Sequence, residues 1–428
     1  MMSLLRKRVT VLGAARSGRA AAALALQEGA SEVVLTDLRA ELEPMEGVRC
    51  VFGHHDEADL TADVVVVSPG VPANAPPVQA ALANGVRVVG ELGFAWEFLP
   101  SDKPVVAVTG TNGKSTVTAF TSQLLQAAGL NTFAGGNLGT PLSAAARVRD
   151  FDAYVVEVSS YQMELPGGFT PSAAVVLNLS PDHLARHGTM ENYAQHKCRV
   201  FDRMGDSAFA ILPTDDPMLL SAAEGRGGRR IWIGAQPGCV LEDCGTRIGE
   251  HFVDLSSMTV LGDHNRLNAA VACLLAHGAG LRLDQLNPSR LRGLPHRMEQ
   301  VRTDDGLLWV NDSKATNVHA AATGLRGLDR PAVVLLGGQG KSGADYASLK
   351  PLLSRGVVCF GASGGEIAQA LNGHVLGQVP NMKAAVDLAR QTARPGDAVV
   401  LSPACASFDE FDDFEHRGNI FRSLARGF

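Results

Sequence analysis

Short, continuous apolar runs rich in valine alternate along this chain with Ala/Leu-rich helical stretches. The runs are Val9–Leu12, Val33–Leu35, Val64–Val67, Val105–Val108, Tyr154–Val158, Ala174–Leu177, Val333–Leu336, Val357–Phe360 and Ala398–Leu401. A strand without polar alternation has both faces buried, as in a parallel sheet covered by helices. The pattern therefore predicts an α/β protein. The alternation restarts twice. The first break is the proline-bracketed polar stretch Phe98–Pro104, and the second runs from Leu286-Asn287-Pro288 to Gly293-Leu294-Pro295. Three domains are expected, at 1–100, 104–289 and 294–428. Within the middle one, residues 225–260 carry Gly- and Asp-rich turns and weak alternation, as in Arg230-Ile231-Trp232-Ile233, which reads as hairpins.

Length and composition narrow this picture. At roughly 150 residues per domain, 428 residues suggest about three domains. With 46% hydrophobic and 19% charged residues the chain is not disordered. A net charge of −6 and 5% aromatic residues speak against a nucleic-acid face. No apolar run approaches the roughly 20 residues of a membrane span, so no membrane insertion is expected. The basic start, Met1 to Arg8, runs directly into a strand and turn, unlike a signal peptide. Seven scattered cysteines, mostly in apolar contexts, read as reduced thiols and a cytoplasmic protein.

The most informative segment is Val105-Val106-Ala107-Val108-Thr109-Gly110-Thr111-Asn112-Gly113-Lys114-Ser115-Thr116. A buried strand enters a glycine-rich turn and then a helix, where unpaired N–H groups and the helix dipole favour phosphate. Lys114 can reach β/γ-phosphates, and Ser115 or Thr116 can offer a hydroxyl to Mg²⁺. Val108 stands where the strict pattern has its first glycine, so the loop is a shortened variant. Glu157 closes one later strand, and Asp182-His183 lie at the end of another, where ligands of open α/β sheets bind. From spacing alone each could equally be a helix cap or a satisfied buried group. Lys197, on its own, reads as a solvated lysine of a helix. Gly13-Ala14-Ala15-Arg16-Ser17-Gly18, with Asp37 after the next strand, imitates a dinucleotide fingerprint. Ala15 replaces the glycine that would admit a close pyrophosphate, which leaves a nucleotide diphosphate in a looser pose or a plain structural domain.

Taken together these motifs resemble the Mur ligase family, the ATP-dependent amide ligases of peptidoglycan precursor synthesis. The resemblance covers essentially the whole chain. It is carried by Thr109–Thr116; Gly135-Gly136-Asn137-Leu138-Gly139; Glu157–Gln162; Asp182-His183; Lys197; Gly262-Asp263-His264-Asn265 with Asn268; Pro295-His296-Arg297; Asn311–Asn317; Gly337–Lys341; and Ser402–Phe411. The Lys-Ala-Thr-Asn and Cys-Ala-Ser runs point to the branch that adds D-glutamate to UDP-N-acetylmuramoyl-L-alanine. Ala185 and Gln339 stand where the family often has acids.

The resemblance implies a Rossmann-like N-terminal domain holding the UDP part, a central P-loop domain and a Rossmann-like C-terminal domain carrying the amino acid. It implies that ATP contacts Gly110, Thr111, Asn112, Gly113, Lys114, Ser115 and Thr116, together with Asn268, Arg297 and Asp312. Two Mg²⁺ ions would be supported by Ser115, Glu157, His183 and a Lys197 carbamylated by CO₂, with Lys114, His183 and Lys197 as catalytic groups. The UDP substrate would meet Ala15, Arg16, Ser17, Asp37, Arg39, Ser68, Gly70 and Asn137. D-Glutamate would lie among His183, Thr316, Lys341, Ser407 and Phe414. A monomer is expected. The rivals are another ligase of this family, an NAD-dependent oxidoreductase built on Gly13–Gly18, and a nucleotide switch without ligase activity.

Overall fold

The computed structural model describes every residue except 1, 2, 138, 259–262, 342 and 428, and not the side chain of Asp263. Leu138 and Gly262 of the motifs above thus lie outside the described residues. The strands form three sheets. The first contains β1 (Arg8–Leu12), β2 (Glu32–Asp37), β3 (Arg49–Phe52), β4 (Val64–Val67) and β5 (Arg87–Gly90), in the order β3-β2-β1-β4-β5. All its pairings are parallel. β4 is four consecutive valines, all buried, as an interior parallel strand requires.

The second sheet contains β6 (Val105–Thr109), β7 (Thr132–Gly136), β8 (Ala153–Glu157), β9 (Ala173–Val176), β10 (Phe209–Pro213), β11 (Arg229–Ile233), β12 (Gly238–Glu242), β13 (Gly245–Ile248) and β14 (His251–Asp254). Its order is β14-β13-β12-β11-β10-β9-β6-β8-β7, which places β6 between β9 and β8. The meander β12–β14 is antiparallel, as the turns around 238–254 suggest. β11 corrects the hairpin expectation: it pairs in parallel with β10 across the helix Pro217–Ala223. Its alternation is weak because Ile231 and Ile233 are buried while Arg229 and Arg230 begin it outside the core.

The third sheet contains β15 (Glu299–Val301), β16 (Leu308–Asn311), β17 (Ala332–Gly337), β18 (Gly356–Phe360), β19 (Val375–Val379) and β20 (Ala398–Leu401), in the order β15-β16-β20-β17-β18-β19. Only the short edge strand β15 runs antiparallel. The expected α/β class with three predominantly parallel sheets is what the chain forms.

Two compact units result: Met1–Ser256 with Asn268–Arg290, and Ser257–Leu267 with Leu291–Phe428. In the first, a continuous apolar core joins both sheets, with Val9, Val66, Phe94, Phe98, Phe133 and Val156 all in one cluster. The junction is packed backbone to side chain. A Cβ on Gly93 would sit 2.4 Å from the Pro166 carbonyl oxygen, and buried Glu91 accepts the Ser143 amide at 2.8 Å. The second unit buries Val310, Val334, Leu336 and Val400 on one face of its sheet and Trp309, Val333, Leu335 and Phe421 on the other. No helix is long and apolar enough to cross a membrane among the described residues.

Candidate functional site

Strand β6 is buried along its whole length and delivers the chain into the glycine turn at the carboxyl edge of the sheet. Gly110 has φ +145°, and a Cβ there would lie 2.9 Å from the Leu177 Cβ. Gly113 has φ +84° and caps the helix Lys114–Ala127, and a Cβ there would lie 2.9 Å from Asn268 Oδ1. These are the two positions at which the turn requires glycine. The helix has no side-chain cap, and a helix N-terminus of this kind, with its dipole, favours an anion.

Asn178, in the loop after β9, holds the turn. Its carbonyl accepts the Thr111 amide at 3.0 Å, its Oδ1 accepts the Asn112 amide at 2.9 Å, and its Nδ2 donates to the Asn112 carbonyl at 3.1 Å. Two lysines converge on one carbonyl. Lys114 Nζ donates to the Gly110 and Thr111 carbonyls, both at 2.9 Å, and Lys197 Nζ donates to the Gly110 carbonyl at 2.7 Å. Lys197 extends from the helix Met190–Cys198 and is only 2% exposed, with its amine 4.3 Å from the centre of the Tyr193 ring. Burial, and then the neighbouring Lys114 charge, hold its pKa well below the ordinary lysine value. The solvated reading of Lys197 is therefore wrong: its apolar stem and amine are both enclosed.

Glu157, at the end of β8, is also buried. Its Oε1 accepts Asn137 Nδ2 at 2.7 Å, whereas its buried Oε2 has no hydrogen-bond partner among the described residues. A buried carboxylate oxygen left unsatisfied is costly, and a cation would satisfy it. Among the described residues no three His, Cys, Asp or Glu side chains cluster as a metal site. Mg²⁺ takes one or two carboxylates and fills the rest of its shell with phosphate and water oxygens. Ser115 and Thr116 are buried in the first turn of the loop helix.

Asp182 and His183 do not end a strand. β9 stops at Val176, and the pair sits in the loop beyond it. His183 has φ +55°; its Nδ1 lies 3.0 Å from the Tyr161 hydroxyl and its Nε2 3.5 Å from Asp182 Oδ2. The Tyr161 hydroxyl thus positions the ring through Nδ1.

In the same unit, a cavity of about 520 Å³ opens at the carboxyl edge of the first sheet. All eight residues expected around the UDP part line it: Ala15, Arg16, Ser17, Asp37, Arg39, Ser68, Gly70 and Asn137. Asp37 accepts the Ala14 amide at 2.8 Å and is bridged by Arg39 Nε and Nη2 at 3.0 and 2.9 Å. The Arg39 hydrogen bond, above all, holds its carboxyl well below the usual carboxylate range. Both oxygens are thus engaged, unlike the acid of a dinucleotide site that awaits a ribose.

The second unit carries most of the other expected residues, several of them on loops that follow parallel strands. Asp312 follows β16. It is buried, accepts Ser402 Oγ at 2.9 Å and the Met298 amide at 3.3 Å, and burial pushes its pKa up to about 7. Arg297 precedes β15. Thr316 is half-buried and Ser407 buried. Lys341 is exposed after β17, and Phe414 opens the last helix with Lys314 Nζ 3.6 Å from its ring centre. Sequence reasoning missed Asn178, Tyr161 and Tyr193. Asn178 had a usable signal, since it follows the end of β9 just as Gly110 follows β6.

Comparison with known proteins follows this geometry. Three family models match in order: a Mur ligase MurD-like N-terminal domain over residues 7–90, a Mur ligase middle domain over 108–276, and a Mur ligase glutamate ligase domain over 296–405. The UDP-N-acetylmuramoylalanine–D-glutamate ligase of Pelotomaculum thermopropionicum is 40% identical, covering 98% of this chain and 97% of that protein. Its counterpart from Myxococcus xanthus is 39% identical, covering 99% of each. Among solved structures, the MurF ligase of Thermotoga maritima in complex with ADP superposes with a TM-score of 0.65 at 18% identity, covering 99% of each chain. The carbamate expected at Lys197 finds no support in these matches. Its Nζ donates to the Gly110 carbonyl as an amine.

Proposed function

The chain belongs to the Mur ligase family, and on that premise we propose that it is an ATP-dependent ligase joining D-glutamate to UDP-N-acetylmuramoyl-L-alanine in peptidoglycan precursor synthesis. One observation carries the reading. The glycine turn at 110–116 opens a helix without a side-chain cap, an arrangement that suits phosphate, in a chain matched over 98% and 99% of its length by D-glutamate ligases.

A carboxylate does not accept an amine directly at neutral pH, because its oxygen is a poor leaving group. In the proposed first step a carboxylate oxygen of the UDP-linked alanine attacks the γ-phosphorus, the bond to the bridging oxygen breaks, and ADP leaves. In the second, the D-glutamate amine attacks the acyl carbon, loses a proton, and phosphate departs as the amide forms. The first step brings two anions together, at about 4 kcal/mol for 4 Å and an effective dielectric near 20. Lys114, exchanging loop carbonyls for phosphate oxygens, offsets this together with the helix amides. Lys197 holds the Gly110 carbonyl and thereby the turn. Mg²⁺, held by the Ser115 hydroxyl and Glu157 Oε2 and expected as two ions, would supply further countercharge to the phosphates. Asn268, Arg297 and Asp312 are proposed to contact the nucleotide. Ala15, Arg16, Ser17, Asp37, Arg39, Ser68, Gly70 and Asn137 are proposed for the UDP substrate, and His183, Thr316, Lys341, Ser407 and Phe414 for D-glutamate.

Three domains at 1–100, 104–289 and 294–428, a monomeric state and a cytoplasmic location complete the reading; light scattering of the purified chain tests the monomer. The decisive assay measures phosphate release with ATP, Mg²⁺, UDP-N-acetylmuramoyl-L-alanine and single amino acids. Release with D-glutamate alone of the panel supports the proposal. Preference for L-alanine, a diamino acid or no acceptor would replace it with another ligase or a nucleotide switch.

A further inference from the structure

Arg417 is the largest fully buried charged side chain among the described residues, and the proposed chemistry leaves it unused. It is fully buried in the second unit, three residues into the helix Phe414–Ala425. No carboxylate lies within ion-pair distance of it among the described residues. Instead it spends every guanidinium nitrogen on two loops. Nε donates to Ser313 Oγ at 2.9 Å and Nη2 to the Ser313 carbonyl at 2.8 Å. Nη1 and Nη2 each donate to the Cys405 carbonyl at 3.1 Å, and Nη1 also reaches the Ala406 carbonyl at 3.2 Å. Burial lowers its pKa to about 10, still far above neutrality, so the group stays charged.

The two loops are joined to a third. Ala406 and Gln339 exchange both backbone hydrogen bonds at 2.9 Å, so the Ala406 carbonyl accepts from Gln339 and Arg417 together. Gly338 lies so close that a Cβ would meet the Ala406 carbonyl oxygen at 2.3 Å and Arg417 Nη1 at 3.1 Å. Ser313 Oγ passes the chain of bonds on, donating to the Phe414 carbonyl at 2.8 Å. Arg417 thus ties together the segments after β16, β17 and β20. Those segments carry Thr316, Lys341, Ser407 and Phe414. A planar fork of five donors can hold such a set of carbonyls in register; a lysine ammonium, with three donors on one atom, cannot.

We propose that Arg417 is the positioning residue of the amino-acid site: it fixes the three loops relative to one another and so sets affinity for a dicarboxylic amino acid. This rests on the function proposed above.

The test uses the full-length enzyme with Arg417→Lys and Ser313→Ala, measuring KM separately for D-glutamate, ATP and the UDP substrate, alongside circular dichroism and hydrogen exchange of residues 402–408. Arg417→Lys should raise the KM for D-glutamate about tenfold to a hundredfold, the range for loss of charge-assisted hydrogen bonds, and accelerate exchange in 402–408. KM for ATP should stay within about twofold. Ser313→Ala should move the same two readouts less. Unchanged D-glutamate KM and exchange in both folded variants, or equal rises for all three substrates, overturns the proposal. Should Arg417→Lys fail to fold, Ser313→Ala decides alone. A wild-type enzyme that prefers another amino acid refutes the function instead, and the same variants then read the clamp through that amino acid's KM.

Discussion

At the residue scale, the environment decides what each ionisable group does. Lys114 and Lys197 bond to the same carbonyl, but Lys197 is sealed in and Lys114 stands at the start of the helix that would receive phosphate. Lys114→Ala should lower kcat by at least about a hundredfold, as for loss of one oxyanion-stabilising donor, with an unchanged circular dichroism spectrum. Near-normal turnover would remove Lys114 from the chemistry. Asp312 gives a pH prediction. Its folded pKa, raised to about 7 by burial, lies above the unfolded value, so the protonated carboxyl is bound more tightly in the folded state. That contribution is full below the unfolded carboxylate pKa and is lost as pH rises through about 7. The free energy of unfolding should therefore fall between about pH 4 and about pH 7, by up to about 1.4 kcal/mol per pH unit from this group, and level off above. Asp312→Asn should flatten that part of the profile, and an unaltered slope would show that Asp312 ionises normally. The sequence displayed these residues but not their surroundings. Lys197 looked solvated because its neighbours Glu191, Gln195 and His196 are polar, and only the fold places it against Tyr193 and Gly110.

At the element scale, the strand–turn–helix at 105–127 was legible because each part obeys a local rule: a continuous apolar strand, glycines where φ is positive, a helix with an open N-terminus. Gly113→Ala adds a Cβ at φ +84° and 2.9 Å from Asn268 Oδ1. The left-handed conformation alone costs about 1–2 kcal/mol. The variant should melt a few degrees lower and bind ADP more weakly in calorimetry; unchanged ADP affinity would mean that the turn is not the nucleotide cradle. β11 was misread for a reason equally local. A strand of five residues beginning with two arginines shows too little of its periodicity to separate parallel from antiparallel pairing. What fixes it is the crossover helix Pro217–Ala223, capped by Asp216.

At the scale of the whole molecule, the order of sheets was legible from the two breaks in alternation. The sharing of one apolar core by the first two sheets was not, because it depends on close approaches such as Gly93 to Pro166 that leave no one-letter mark. The same distinction holds for the site. Motifs placed the glycine turn, the residues that line the cavity of the first sheet and the loops of the second unit, whereas Asn178, which holds the turn, and Arg417, which holds those loops, emerge only from hydrogen bonding. In the proposed reaction ATP activates the sugar-linked carboxylate before any amide forms. With ¹⁸O in that carboxylate, mass spectrometry of the released phosphate should find one labelled oxygen for each D-glutamate incorporated. Phosphate that carries no label would contradict the acyl-phosphate route and the role assigned to the turn around Lys114.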